Sequence, residues 1–271
     1  FNISDVSIII PVKNNQTGIN ALIDSIIESQ EEINFPKEII IVDNNSKPPI
    51  VLPANLKNKK LNVQIIVCKK KGPASARNFG AKVAKGEWLY FTDSDCVVTD
   101  HSLLAFQKFQ NEADVYAGKI VPLEKGIISN FYENIKLLNP EFNEKNESRY
   151  LISANCLIKK SVFVNVNGFN EKFEFASGED IDLGIRISKK NKILYINEAI
   201  VFHNYNDNLI KMYKRFYRYG KSIKQIESLH NLKIVIDKLF PKSRKNLTNY
   251  ILQMIAKIAL KHAVLSSKYK G

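Results

Sequence analysis

The stretch Gly86-Glu87-Trp88-Leu89-Tyr90-Phe91-Thr92-Asp93-Ser94-Asp95 is an apolar run that ends in two carboxylates separated by one small residue. As a strand it alternates its side chains, so Asp93 and Asp95 leave the backbone on the same side, with Ser94 too small to block approach. Two anions pointing one way call for a cation. Hard divalent ions such as Mg2+ and Mn2+ take carboxylate oxygens and complete their shell with substrate phosphates. An isolated Asp-x-Asp is equally a strand-end turn with solvated acids, so the surrounding sequence has to decide.

Upstream, Val6 to Val12 is a short, nearly continuous apolar run, as expected for a strand covered on both faces of a parallel sheet, and it stops in polar Lys13-Asn14-Asn15. From Gly18 to Ile33, Ile19, Leu22, Ile23, Ile26 and Ile27 recur at helical spacing. Glu38 to Val42 is a second apolar strand, ending in Asp43-Asn44-Asn45-Ser46. Strand, helix, strand predicts a parallel α/β sheet, whose ligands bind outside the carboxyl ends of the strands. Asn14 and Asp43 belong there side by side. Asp43 either accepts from a base or ribose group or caps a turn with Asn44 and Ser46. Lys47 to Lys60 is Pro- and Lys-rich and is expected to be a loop, and Val63 to Val67 is a third strand. In Lys69-Lys70-Lys71-Gly72-Pro73-Ala74-Ser75-Ala76-Arg77-Asn78-Phe79-Gly80-Ala81 a glycine precedes a small-residue helix, with cations before it and Arg77 inside it. Helix N-termini and guanidinium groups favour phosphate, so a diphosphate suits this segment. The small residues also predict close packing on the sheet.

Four segments, Ser7 to Asn14, Ile41 to Ser46, Gly72 to Gly80 and Thr92 to Asp95, resemble in order and spacing the successive motifs of the family 2 glycosyltransferases. The resemblance covers residues 5 to 205 and implies the GT-A fold, a Rossmann-like, mostly parallel α/β sheet flanked by helices. It divides the chain into a catalytic domain over 1–205, with a nucleotide-sugar half over about 1–98 and an acceptor half over about 99–205, and a basic, amphipathic helical extension over 206–271.

The second half carries further motifs. Val115 to Val121 is expected to be a strand, Ile127 to Leu138 a helix, and Asn139 to Arg149 a mobile charged stretch. Leu151 to Lys160, with Asn155, followed by Val166-Asn167-Gly168-Phe169, is similar to the family segment near the acceptor. Ser177-Gly178-Glu179-Asp180-Ile181-Asp182 resembles the family's Glu-Asp motif at a helix start. Without the resemblance, Glu179 and Asp180 would favour the helix's positive end and Asp182 would pair Arg186 at i, i+4. Ile193 to Ile196 and Ala199 to His203 are expected to be paired strands.

By resemblance, the activity is inverting transfer of a sugar from a nucleotide-sugar, with Asp180 accepting the acceptor's hydroxyl proton and Glu179 orienting the acceptor or Asp180. The resemblance assigns the donor, a UDP-sugar, to Pro11, Val12, Asn14, Asp43, Asn45, Arg77, Asn78, Asp93, Ser94 and Asn155. It assigns Mn2+ or Mg2+ to Asp95, Asp93 and His203. Asp43 would meet the base, Arg77 the diphosphate and Asp93 the ribose or metal. The acceptor would be a glycan or lipid-linked glycan of bacterial surface polysaccharide synthesis.

The chain has 271 residues and a formal charge of +13, but from Val201 onward there are 15 Lys and Arg against three Asp and Glu. The body is therefore nearly neutral and the basicity lies in the tail. Lys211, Lys214, Arg215 and Arg218 interleave with Met212, Tyr213, Phe216, Tyr217 and Tyr219. These cations could fold back on the diphosphate or meet anionic lipid. Leu247, Ile251, Met254, Ile255, Ile258 and Leu265 form an apolar stripe that either lies on an anionic membrane surface or packs on the catalytic domain or a partner subunit. Cys68, Cys96 and Cys156 are odd in number and sit in apolar segments, which suits reduced thiols. With no run approaching about 18 apolar residues and no signal-peptide pattern at Phe1 to Asp5, the expected location is cytoplasmic, peripheral on the inner face of the membrane. A nucleotidyltransferase would need an early Gly-rich loop with Arg and Lys, which is missing. A nucleic-acid binder would explain the tail's charge but leave both acid pairs without purpose, so no nucleic acid is expected. A homo-oligomer is compatible with the sequence.

Overall fold

The computed structural model describes residues 1–28, 35–53, 56, 61–99, 102–173, 176–205, 207–240 and 246–266. Among them, nine strands form one sheet: β1 (Val6–Val12), β2 (Glu38–Asp43), β3 (Val63–Val67), β4 (Trp88–Thr92), β5 (Cys96–Val98), β6 (Val115–Pro122), β7 (Glu147–Ser148), β8 (Asn155–Lys159) and β9 (Ile193–His203). The order is β3-β2-β1-β4-β8-β6-β9-β5, with β7 on the start of β9. β3, β2, β1 and β4 are mutually parallel, as are β6 and β9, while β8 enters antiparallel between β4 and β6.

The continuous apolar runs are explained by helices on both faces. Ile8, Ile10, Ile39, Ile41 and Tyr90 pack with α1 (Gln16–Glu28) and α3 (Ser102–Gln107); Ile9, Ile40, Val42, Leu89 and Phe91 pack with α2 (Pro73–Val83) and α6 (Glu179–Ser188). Each such side chain, fully withdrawn from water, contributes about 1.5–3 kcal/mol. α2 lies close because of its small residues. A Cβ at Gly80 would stand 2.6 Å from Ile9 Cγ2. A third cluster joins α4 (Ile127–Asn134), α7 (Leu209–His230) and α8 (Leu247–Ser266) through Phe131, Tyr132, Met212, Phe216, Ala256 and Leu260. The remaining helix, α5 (Lys160–Asn165), follows β8 directly. Cys68, Cys96 and Cys156 are free and buried.

Several expectations need correction. The two strands expected at 193–196 and 199–203 are one strand, β9, running parallel to β6 with a bulge where the register jumps from Gly118–Ile196 to Lys119–Ile200. Asn155 Nδ2 stitches the bulge by donating to Lys119 O and Ala199 O, at 3.0 and 2.8 Å. The stretch 139–149 is not loose: Glu147–Ser148 pairs with β9, Phe142 stacks on Tyr195 at 4.5 Å, and Asn139 bonds both backbone groups of Ile120. α4 ends at Asn134 rather than Leu138, because Lys136 takes a left-handed conformation. Of the helix expected to reach Ile33, the part beyond Glu28 lies outside the described residues, as does most of 54–60 in the expected loop.

Of the apolar stripe of α8, only Ile255 packs against the third cluster. Leu252, Ala256, Ala259, Leu260 and Ala263 are buried, whereas Leu247, Ile251, Met254, Ile258 and Leu265 are exposed on the other side. Among the described residues, no helix is long and apolar enough to cross a membrane.

Candidate functional site

The carboxyl ends of β1, β2, β4 and β9 lie on one edge of the sheet, joined there by the start of antiparallel β8, since Thr92 pairs with Asn155. The Asp-Ser-Asp turn leaves β4 at this edge. Asn15 Nδ2 donates to Ser94 O and Ser94 Oγ at 3.1 and 3.2 Å, tying the turn to the end of β1. Cys96 N donates to Asp93 O and Asn204 N to Asp95 O.

At the centre is Arg77, on the second turn of α2 and only 3% exposed. Its Nη2 donates to Asp93 Oδ1 at 2.6 Å and its Nη1 to Glu179 Oε1 at 3.0 Å, and its guanidinium lies 5.5 Å over the Phe169 ring. One buried cation thus joins the Asp-Ser-Asp turn to the Glu-Asp motif, residues 86 and 102 positions apart in sequence from Asp93 and Arg77 respectively. Glu179 Oε2 accepts from Ser177 N at 2.7 Å. Asp180 is half-buried beside it, accepting from Ile181 N at 2.8 Å and more distantly from Ser153 N. Desolvation pushes the Glu179 carboxyl up to about 7, with the Asp180 charge adding and Arg77 opposing. Desolvation also raises Asp180, with Arg77 opposing and Asp93 adding. Three acids share one guanidinium, so the cluster is short of positive charge.

Next to it, ligand atoms of Asp95, Cys96 and His203 lie within 4.8 Å of one another. His203 Nε2 is 3.5 Å from Asp95 Oδ1, and its ring stacks on Tyr205 at 4.6 Å. Desolvation raises the Asp95 carboxyl, with His203 lowering and Asp93 raising it further. The Cys96 thiol is pushed well up by burial, which keeps it protonated and a poor ligand. A carboxylate and an imidazole facing each other, with the Asp93 carboxylate two positions before Asp95, form a donor set that fits a divalent cation sharing substrate oxygens.

The remaining expected residues divide. Asn14 and Asn45, both left-handed, stand at the rim with Asp43 between them in the β2 loop. Asp43 is 2% exposed and accepts from Ser46 N and Ile50 N at 2.8 and 3.1 Å, so it shapes the loop that Asn14 joins through Ser46 and Lys47. Pro11 and Val12 form the end of β1 beneath it. Asn78 bonds only to Phe169 and Glu171 among its described contacts, and Asn155 is buried with its amide shared between Tyr90, Lys119 and Ala199. The sequence did not single out Asn15 or Tyr205, and Phe169 stood there only as part of the segment near the acceptor. Asn44, read only as a turn partner of Asp43, holds the 68–72 loop through Cys68 O, Lys70 O and Gly72 N. The Asn44-Asn45 pair directly after a strand was the available signal.

A profile for glycosyl transferase family 2 matches residues 7–166, and one for the N-terminal domain of galactosyltransferase matches 134–205. The chain is 29% identical over 209 residues to the minor teichoic acid biosynthesis protein GgaB of Bacillus subtilis, covering 72% of this chain and 22% of that protein. It spans about a fifth of the length of the first curated relatives it matches. Among solved structures it is similar to S. aureus TarS 1–349 in complex with UDP-GlcNAc, with TM-score 0.56, 16% identity and 98% and 93% coverage. It is also similar to the mannosyltransferase PcManGT of Pyrobaculum calidifontis in complex with GDP-Man and Mn2+, with TM-score 0.60, 14% identity and 98% and 76% coverage. The sheet edge that gathers both acid pairs is the GT-A arrangement, and with the profile covering more than half of its length, the chain belongs to glycosyl transferase family 2.

Proposed function

We propose that this glycosyltransferase is inverting and metal-dependent and moves a sugar from a UDP-sugar to a hydroxyl of a glycan or lipid-linked glycan acceptor. The observation that carries the reading is the Asp93–Arg77–Glu179 bridge, which sets Asp180 beside the Asp-Ser-Asp turn. Asp180 accepts the acceptor's proton as its oxygen bonds to the anomeric carbon and the bond from that carbon to the diphosphate oxygen breaks. Glu179, held by Arg77 and Ser177 N, fixes where Asp180 stands. Asp95 and His203, with Asp93, would hold Mn2+ or Mg2+, whose charge would offset that developing on the diphosphate. The loop shaped by Asp43, with Asn14 and Asn45, would receive the base. TarS bound to UDP-GlcNAc and the teichoic acid relative support a uridine donor and a surface-polymer acceptor.

Thermal unfolding with UDP, GDP, CDP and dTDP, each with Mn2+ or EDTA, checks the donor half. Because a ligand that binds only the folded state raises its stability, UDP with Mn2+ should raise Tm by several degrees, and EDTA or Asp95→Ala should abolish the shift. No shift with any nucleotide would sink the donor site.

The outward stripe of α8 supports a second partner, an anionic membrane surface at the cytoplasmic face. Its aliphatic side chains are exposed, Lys257 and Lys261 reach Asp237 at their edge, and from Asn246 to the chain end there is no acidic residue. Apolar contact with flanking cations suits acidic headgroups. The chain should sediment with vesicles containing phosphatidylglycerol but not with pure phosphatidylcholine, and Ile251→Glu with Ile258→Glu should leave it in the supernatant. Equal recovery with both lipids, or with neither, would refute the surface.

A further inference from the structure

The third acid of the catalytic helix, Asp182, takes no part in the chemistry above, yet it is 2% exposed. Its Oδ2 accepts from Arg186 Nε and Nη2 at 2.9 and 2.7 Å. Its Oδ1 lies 2.9 Å from Nε2 of His230, the last residue of α7, whose side chain is 5% exposed. His230 Nδ1 has no partner among the described residues, which fits the tautomer that donates from Nε2 to Asp182. Arg186 continues the connection, donating to Val166 O and, at 2.7 Å, to Gly168 O. The turn it holds carries Phe169, whose ring underlies Arg77, and Arg77 holds Glu179. A closed circuit therefore runs from the back of α6 to its front.

At the helix start the same partner recurs. Ser222 Oγ on α7 donates to Ser177 O at 2.7 Å. Gly178 has φ +86, and a Cβ there would stand 2.8 Å from Ser222 Cβ and 3.1 Å from Ile226 Cδ1. Only glycine allows both this backbone conformation and this approach. α7 thus grips the Glu-Asp motif at two points, Ser177-Gly178 in front and Asp182 behind.

On the reading that Asp180 is the base, we propose that Asp182 and His230 are positioning residues, through which α7 fixes the place at which α6 presents Glu179 and Asp180. The segment after residue 205 is then part of the catalytic apparatus. Mispositioning of a reacting group by about 1 Å costs roughly 100-fold in rate, so a tether of this kind acts on turnover while leaving the donor pocket at β1, β2 and β4 untouched.

The test uses the full chain with His230→Ala and His230→Gln, whose amide nitrogen can still donate to Asp182. Hydrogen exchange over residues 177–186 reports local opening, and steady-state transfer separates kcat from donor KM. His230→Ala should speed exchange in that segment about 10-fold or more with exchange in β1 unchanged. Its kcat should fall roughly 10- to 100-fold while UDP binding and donor KM stay within about twofold, and His230→Gln should recover most of the loss. Unchanged exchange in His230→Ala would overturn the tether. Faster exchange with unchanged kcat would overturn the positioning role and leave a purely structural contact. A wild-type chain that binds no donor and transfers no sugar would overturn the functional reading and the positioning role with it, while the exchange result would still decide the tether.

Discussion

Asp180→Asn should lose about 10²- to 10⁴-fold in sugar transfer, the usual contribution of a general base, while its metal-dependent stabilisation by UDP stays at the wild-type level. Asparagine keeps the shape and can still accept from Ile181 N, the 2.8 Å contact that fixes the side chain. It removes the negative charge that desolvation and Asp93 already disfavour. The variant should therefore unfold at the wild-type temperature or above it, the pattern expected when an active site holds groups that stability alone would not select. Transfer at the wild-type rate by Asp180→Asn would remove Asp180 from the chemistry.

The same electrostatics sets a pH dependence. Glu179 is pushed up to about 7 and Asp180 is raised, so the pair takes up protons above the ordinary carboxylate range of about 4 and titrates as a unit. The base is active when ionised, so transfer should fall as pH drops, with an acid limb above the ordinary carboxylate range. Stability runs the other way. A carboxyl raised in the folded state disfavours folding once it must ionise, so this contribution is lost as pH rises from the ordinary value through the raised one. Denaturant midpoints and kcat/KM measured over the same pH range should therefore move in opposite directions.

Much of this was legible in the sequence, for identifiable reasons. The runs at Ile8-Ile9-Ile10 and Ile39-Ile40-Ile41 could only be strands covered on both faces, and the acids after Thr92 and Gly178 stood at element ends, where a parallel sheet gathers its ligands. Partner choice was not legible. Asn14, Asn78, Asp43 and Asn155 are alike as polar residues near strand ends or a helix start, yet Asn155 is consumed by a bulge in β9 that depends on a register jump no local pattern encodes. The α8 stripe was grouped by its periodicity, but which way it faces was left open. Helical periodicity identifies a side without saying which side meets protein, and here the alanine-rich face allows α7 to approach, with Gly220 set against Leu260 and Ala263. Asp182 read as an i, i+4 partner of Arg186, which it is, but His230 lies 48 residues away and only the fold brings it there.

Arg77→Met should destabilise the protein strongly at neutral pH. The guanidinium side chain is 4% exposed, as is Glu179, and it is the cation that bridges Asp93 and Glu179. Removing one member of a buried ion pair leaves its partner charged and unpaired, at a cost of about 3–5 kcal/mol, a large fraction of the roughly 5–15 kcal/mol that holds a domain folded. Methionine fills part of the volume and keeps the contact with Phe169, so the loss reports charge more than packing. Without Arg77 the carboxyls of Glu179 and Asp180, already raised, rise further, because the largest opposing influence on both was Arg77. Their protonated forms then suit the fold. By the same linkage, the deficit should be fully present at pH 8 and shrink as pH falls toward the ordinary carboxylate range. Adding Glu179→Gln, which removes one of the stranded charges, should restore part of the stability at pH 8 and little at pH 5. Urea titrations of wild type, Arg77→Met and the double variant at both pH values would decide the matter. An Arg77→Met deficit independent of pH, or a double variant no more stable than the single one, would mean that Arg77 supports the site by packing and not by holding three acids together.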